Sequence, residues 1–157
     1  MDRDDGGWYF AYGSNMSARQ MAARCPGATA AGPARLDGHR LAFDLPSRYW
    51  GGWVADVVPE AGSVVWGVLW RLRPEHWAAL DDYEDVDEQR YRRLTLDVTT
   101  ADGRPVRAQL YRVVRPRGEG RPSAAYLRTI LEGAREHGLP APYVAWLGTL
   151  AVEEVTP

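Results

Sequence analysis

The chain has 157 residues, 45% of them hydrophobic and 25% charged, with a formal net charge of −2 and a pI near 5.9. That is the composition of an ordinary globular protein, read as one domain over residues 1–157 with its core at about 8–150. The charge balance excludes a nucleic-acid binder that works by broad electrostatics, because such domains are basic.

No apolar run approaches the ~20 residues of a membrane span, so no membrane partner is expected. The charged start, Met1-Asp2-Arg3-Asp4-Asp5, lacks the apolar stretch of a signal peptide, and the expected location is cytoplasmic. All 19 basic residues are Arg. This removes Schiff-base and phosphate-loop lysine chemistry. The single Cys25 allows neither an internal disulfide nor a multi-cysteine zinc site.

Residues 8–12 form an aromatic run suited to a buried strand, and Gly13-Ser14-Asn15 ends it as a turn. Ser17 with Gln20 three residues on has the pattern of a capping box, so a short helix is expected over 16–24, stopping near Pro26-Gly27. Residues 34–44 read as a strand and 46–52 as a loop. Residues 54–58 and 64–72 read as two further strands parted by Pro59-Glu60-Ala61-Gly62.

Pro74 opens a helix with Trp77 and Leu80 on one face, and acidic residues crowd its far end. Residues 91–99 and 106–114 flank Asp102-Gly103 as a hairpin. A Pro/Gly/Arg loop spans 115–122. Ser123 caps a helix running to about His137, with Gly138 as its stop. A further helical turn is expected at 142–147, and the tail 151–157 reads as frayed or edge strand. About six strands with inserted helices make an α+β protein, not a βαβ repeat.

Two features carry chemistry. The Gly13 turn places free amides beside a helix start, a setting that holds a carboxylate or steadies an oxyanion. Alone, such junctions are common. Leu80-Asp81-Asp82-Tyr83-Glu84-Asp85-Val86 crowds carboxylates among aromatics, which raises a carboxyl pKa toward that of a general base. Alone, such runs are most often solvated helix ends. The calcium-loop pattern is absent, and no metal is expected. His39, His76 and His137 show no metal-binding spacing, Cys25 reads as a small buried residue, and Ser14 lacks a Gly-x-Ser-x-Gly context. Arg115, Arg117 and Arg121 read most simply as a solvated basic loop.

Taken together the segments resemble the γ-glutamylcyclotransferases. Tyr9-Phe10-Ala11-Tyr12-Gly13-Ser14-Asn15-Met16 looks like that family's opening strand and substrate loop. Val64-Val65-Trp66-Gly67-Val68-Leu69-Trp70 is similar to a later strand, and Leu80-Asp81-Asp82-Tyr83-Glu84 to the segment bearing the catalytic glutamate. Tyr91, Tyr111 and Tyr126 sit where tyrosines recur, and residues 133–140 resemble a further stretch. The likeness runs over about residues 9–147. One departure is Asp85, where the family often has Gly. The Ser-Asn form of the loop favours the branch that acts on γ-glutamyl amino acids or similar small amides, over branches with Thr-Leu or Ser-Leu.

The resemblance implies a small mixed β-barrel with helices packed outside and an enzyme that needs no cofactor. Its partner would be a small γ-glutamyl substrate, and its state monomer or homodimer. In the implied reaction the substrate's α-amine attacks its own γ-carbonyl, giving 5-oxoproline and a free amine. Glu84 would take a proton from the α-ammonium and return one to the leaving nitrogen. Tyr12, Gly13, Ser14 and Asn15 would hold the glutamyl half, and Tyr126 would close the pocket and donate a hydrogen bond. Residues 46–53 and 115–122 would shape the leaving-amine side. The alternatives are a variant that deprotects a γ-glutamylated natural-product intermediate, a non-catalytic binding module of the same fold, and a structural or interaction protein.

Overall fold

A computed structural model describes residues 6–153, in which five strands close into a barrel. The strands are β1 (Gly7–Ala11), β2 (Thr29–Pro46), β3 (Trp53–Leu72), β4 (Tyr91–Thr100) and β5 (Pro105–Val113). Around the barrel they run β1-β3-β2-β4-β5, and a parallel pairing of Tyr9 with Gln109 closes β5 onto β1. All other neighbours are antiparallel. Four helices accompany them: α1 (Ala18–Arg24), α2 (Pro74–Tyr83), α3 (Ala124–Glu136) and α4 (Ala141–Gly148). Among the described residues no helix is long and apolar enough to cross a membrane.

The expected α+β barrel is present, with one strand fewer. The segments read as two strands at 54–58 and 64–72 are one strand, β3, because both pair with β2. The register jumps from Asp37–Val64 to His39–Pro59, so Pro59-Glu60-Ala61-Gly62 sits at an irregularity within the ladder. A bulge tolerates a proline that a regular ladder would not. The turn signal was real, but it marks a bend in one strand.

Phe10, Leu36, Val57, Val65, Val68 and Leu110 fill the interior and are almost fully buried. Each such side chain contributes about 1.5–3 kcal/mol by leaving water. Asp56 is buried at the seam between β3 and β5, where its Oδ1 accepts the amide hydrogens of Val57 and Val113 at 2.9 and 3.0 Å. It serves as the acceptor the strand edge lacks. Asp44, also buried, lies beside Asp56. Burial and the neighbouring carboxylate push the Asp44 pKa well above the usual range.

The loop at 115–122 is pinned to the barrel, with the Arg117 and Gly120 amides donating to Asp44 and Phe43 carbonyls at 2.8 Å. His76 is structural: its Nδ1 accepts from the Arg73 amide, and its Nε2 bonds to the Pro26 carbonyl at 2.8 Å. Residues 151–153 are irregular, and the rest of the expected tail lies outside the described residues.

Candidate active site

The aromatic strand β1 delivers Tyr12 to a short 3-10 turn, Ser14–Met16, which carries the predicted loop. No side chain caps that turn at Gly13, so its first amides have no intrahelical partner. Gly13 has an ordinary negative φ, and its requirement is steric: a Cβ there would lie 2.9 Å from the Tyr126 hydroxyl. The turn is held from behind by α3, whose Gly133 would drive a Cβ to 2.4 Å from the Met16 backbone. Helix and turn therefore meet backbone to backbone.

Ser17 caps α1 as expected, accepting from the Gln20 amide at 3.3 Å. The reciprocal half of the capping box does not form. The Gln20 Nε2 donates instead to Ser14 Oγ at 2.6 Å and Asn15 Oδ1 at 2.8 Å. Arg24, one helical turn further, donates to the same Asn15 Oδ1 at 3.1 Å, and the Asn15 amide group donates to Tyr9 Oη at 2.9 Å. Asn15 is thereby fixed on both sides, and Ser14 is tied to Gln20.

Glu84 is the C-cap of α2. The chain leaves the helix through Asp85 at φ 52, with Val86 N bonded to Asp81 O and Asp85 N to Asp82 O. This is the paired 6→1 and 5→2 closure of a Schellman motif, with a left-handed residue at the first position after the cap. Asp85 thus takes the backbone conformation that a glycine favours, and Asp is among the residues that tolerate it.

Burial raises the Glu84 pKa to about 7, against the opposing charge of Arg24 and with a smaller push from Asp85. Among the described residues its carboxylate has no hydrogen-bond or ion-pair partner. Five tyrosine hydroxyls, of Tyr9, Tyr12, Tyr91, Tyr111 and Tyr126, are raised chiefly by burial, and the Glu84 charge contributes to each. All five remain protonated donors around one carboxyl.

All six residues expected at the site come together. Tyr12, Gly13, Ser14, Asn15, Glu84 and Tyr126 line one inner chamber with Tyr9, Ala55, Tyr91 and Tyr111. Tyr126 is placed by α3, whose cap Ser123 accepts from the Tyr126 amide at 3.1 Å. Its hydroxyl accepts from the Ala55 amide at 3.1 Å, while Tyr91 donates to the Ala55 carbonyl at 2.7 Å. Because it accepts from the backbone, the Tyr126 hydroxyl keeps its own proton for another acceptor.

An outer chamber shares Ser14, Glu84, Tyr91 and Tyr126 with the inner one and adds Arg24, Ser47, Arg48, Trp50, Asp85 and Arg90 to its wall. Mouths included, the chambers hold about 330 and 500 Å³ of open space. Of the two segments expected to shape the leaving-amine side, 46–53 reaches this wall through Ser47, Arg48, Tyr49 and Trp50, and 115–122 does not line it. Of the acidic run, Asp81 accepts from the Tyr111 hydroxyl at 2.6 Å, while Asp82, Asp87 and Glu88 face solvent. Residue-type patterns missed Gln20, Arg24, Arg48 and Arg90. The one signal available was the four-residue spacing of Gln20 and Arg24, which puts both on one face of α1.

Barrel and chamber define a class first: residues 64–147 match the model of the AIG2-like family. A γ-glutamylcyclotransferase of Bos taurus is 32% identical over 146 residues, covering 90% of this chain and 77% of that protein. The Homo sapiens γ-glutamylcyclotransferase is 31% identical over 152 residues, covering 94% and 80%. A solved structure of a γ-glutamyl cyclotransferase superposes with a TM-score of 0.92 at 30% identity, covering 96% of this chain and 91% of that one. The chain belongs to the γ-glutamylcyclotransferase family.

Proposed function

We propose that this protein converts a γ-glutamyl amide into 5-oxoproline and a free amine, with Glu84 as the proton carrier. The observation that carries the reading is the unpartnered Glu84 carboxyl, held near pKa 7 where the inner chamber meets the outer one. Near neutrality such a group is populated in both protonation states, which a single acid–base residue needs.

The glutamyl half lies in the inner chamber against the loop of Tyr12, Gly13, Ser14 and Asn15. The Glu84 carboxylate takes a proton from the α-ammonium. The freed amine attacks the γ-carbonyl carbon, and a C–N bond closes the five-membered ring. The carbonyl oxygen gains negative charge, met by turn amides and the Tyr126 hydroxyl. As the oxygen charge collapses, the original amide C–N bond breaks and Glu84 returns its proton to the departing nitrogen. The ring nitrogen gives its extra proton to the freed carboxylate, which passes it on to the released amine. Nucleophile and electrophile share one molecule, so folding it correctly supplies on the order of 7–11 kcal/mol.

The test is a panel of γ-glutamyl amino acids, γ-glutamyl amines and glutathione, read by mass spectrometry for 5-oxoproline. Release from at least one member, lost in Glu84→Gln, is the expected result. A binding module gives none from any member, and full turnover by Glu84→Gln overturns the role given to that residue.

A further inference from the structure

The outer chamber carries more positive charge than the proposed reaction uses. The chain as a whole is acidic, with 21 Asp and Glu against 19 Arg. The outer wall reverses that balance, with Arg24, Arg48 and Arg90 against Glu84 and Asp85. A neighbouring hollow shares Arg48 and Arg90 and continues the field through Arg115 and Arg117, with Glu88 as its one acid.

These arginines stand in two tiers. Arg24 is the inner one. It bonds to Asn15, stacks 4.5 Å over the Tyr83 ring, and is the cation that bears on Glu84. Arg48 and Arg90 form the outer tier, bridged by one carboxylate: Asp85 lies 3.7 Å from Arg48 and 3.8 Å from Arg90. Arg48 also pairs with exposed Glu88, and Arg90 donates to the Pro46 carbonyl.

In the pose of the function proposed above, a leaving amino acid brings one carboxylate next to the scissile nitrogen, and Arg24, the cation that bears on Glu84, is the one assigned to it. That leaves the outer tier with only the chain's own Asp85 and Glu88 as acidic partners among the described residues. Its own acids are single carboxylates at long range or in solvent, which hold a guanidinium weakly and are exchanged at little cost. A planar guanidinium binds a carboxylate in a fork, and two beside each other favour a second anion.

We propose that the outer chamber selects γ-glutamyl amides whose leaving amine carries a second negative charge, with Arg48 as the specificity-determining residue and Arg90 beside it. This rests on the function proposed above. It places a chain-end carboxylate, as in an acidic amino acid, in the outer tier, and it disfavours polyamine and other cationic leaving groups.

The test compares γ-glutamylglutamate with γ-glutamylglutamine, which differ by one charge and almost nothing in shape, and adds γ-glutamylputrescine as the cationic probe. The expected order of kcat/KM is glutamate, glutamine, putrescine. The first step should be about tenfold or more, the discrimination one charge-assisted hydrogen bond supplies, and carried by KM. The ratio should fall with added salt, because part of the contact faces solvent. Arg48→Gln should bring the glutamate-to-glutamine ratio close to one, and Arg48→Glu should invert it.

Equal kcat/KM for the two dipeptides in the unsubstituted protein, or a ratio untouched by Arg48→Gln, overturns the proposal. If no γ-glutamyl compound yields 5-oxoproline, the reaction is what fails. Calorimetric binding of the same three compounds to the Glu84→Gln protein then decides the subsite by itself: tighter binding of γ-glutamylglutamate supports it, and equal binding overturns it.

Discussion

Asp85 does at the end of α2 what Gly138 does at the end of α3. Both are left-handed, at φ 52 and φ 68, and both stand one residue beyond a helix cap. In each case the next amide bonds back five residues, Val86 N to Asp81 O and Leu139 N to Ala134 O, both at 3.0 Å. The residue that departs from the family's usual glycine therefore keeps the glycine's backbone. What it adds is a carboxylate beside Glu84 and between Arg48 and Arg90.

Asp85→Gly should accordingly be gentle on stability and visible in the pH profile. The left-handed conformation costs an ordinary residue about 1 kcal/mol, which glycine would recover. The two long ion pairs lost are each worth about 0–1 kcal/mol. The net change in unfolding free energy should stay within about 1 kcal/mol of zero. Asp85 raises the Glu84 pKa, so its removal should move the acidic limb of kcat/KM from near 7 to lower pH. Arg24→Gln should move the same limb the other way. A pH–rate series on the three proteins checks both signs, and a limb that stays fixed in both variants would remove these two charges from the account.

Glu84→Gln should exchange activity for stability. Turnover should fall by on the order of 10²–10⁴-fold, the typical worth of positioned acid–base catalysis. Burial holds the Glu84 pKa in the fold above its unfolded value. A raised acid contributes stability that is fully present below the unfolded pKa and is lost as pH rises through about 7. The neutral amide escapes that loss. The variant should gain about 1–3 kcal/mol at pH 8 after allowance for solvent screening, and nothing at pH 4. Urea unfolding at the two pH values measures the difference; an equal gain at both would mean the carboxyl is not strained by its ionisation.

Gly133→Ala should damage the site from outside it. The new Cβ would meet backbone at 2.4 and 2.5 Å, at Met16 and Ser17, so either α3 or the turn must move. Overpacking of this kind costs about 1–3 kcal/mol. Because Ser14 and Asn15 ride on that turn, kcat/KM should fall by roughly ten- to a hundredfold with Glu84 untouched. Gly148→Ala is the control, since nothing lies within 4 Å of its added Cβ. Matching kinetics in the two variants would separate α3 packing from catalysis.

How far the sequence could be read follows from the range of the forces involved. The β1 aromatics, the Pro74 helix start and the Ser123 cap are local signals, and each element lies where they put it. The continuity of β3 was illegible because it is decided by a partner: only the shared pairing with β2 tells a bulge at 59–62 from a turn. Gln20 shows the same limit within one motif. Its spacing from Ser17 predicts a capping box, yet Ser14 and Asn15 offer its side chain better partners. The meeting of Glu84 with the Gly13 loop was legible only through family resemblance, since about 70 residues separate them and no local rule spans that distance. The arginines of the outer wall come from α1, the 46–52 loop and the approach to β4, and nothing in their spacing announces a common surface.

Asp44 tests how the barrel tolerates two buried acids side by side. Asp56 spends its Oδ1 on two amides, and Asp44 lies against it with its own Oδ1 lacking any partner among the described residues. Such a pair is stable when one member keeps its proton, and burial together with the Asp56 carboxylate gives that proton to Asp44. Arg40 opposes the shift but is the smallest of its causes. The folded pKa is raised, so the stabilisation is fully present below the ordinary carboxylate range and drains away as pH rises through the folded value. Asp44→Asn keeps a neutral donor against Asp56 and removes the titration. The variant should match the parent in mildly acidic buffer and exceed it at alkaline pH, with a flatter dependence of Tm on pH. Thermal unfolding from pH 5 to 9 reads this directly. Parallel curves would show that Asp44 stays in one protonation state across the range; a variant less stable at every pH would show that its carboxyl contributes more as an acceptor than it costs as a buried acid.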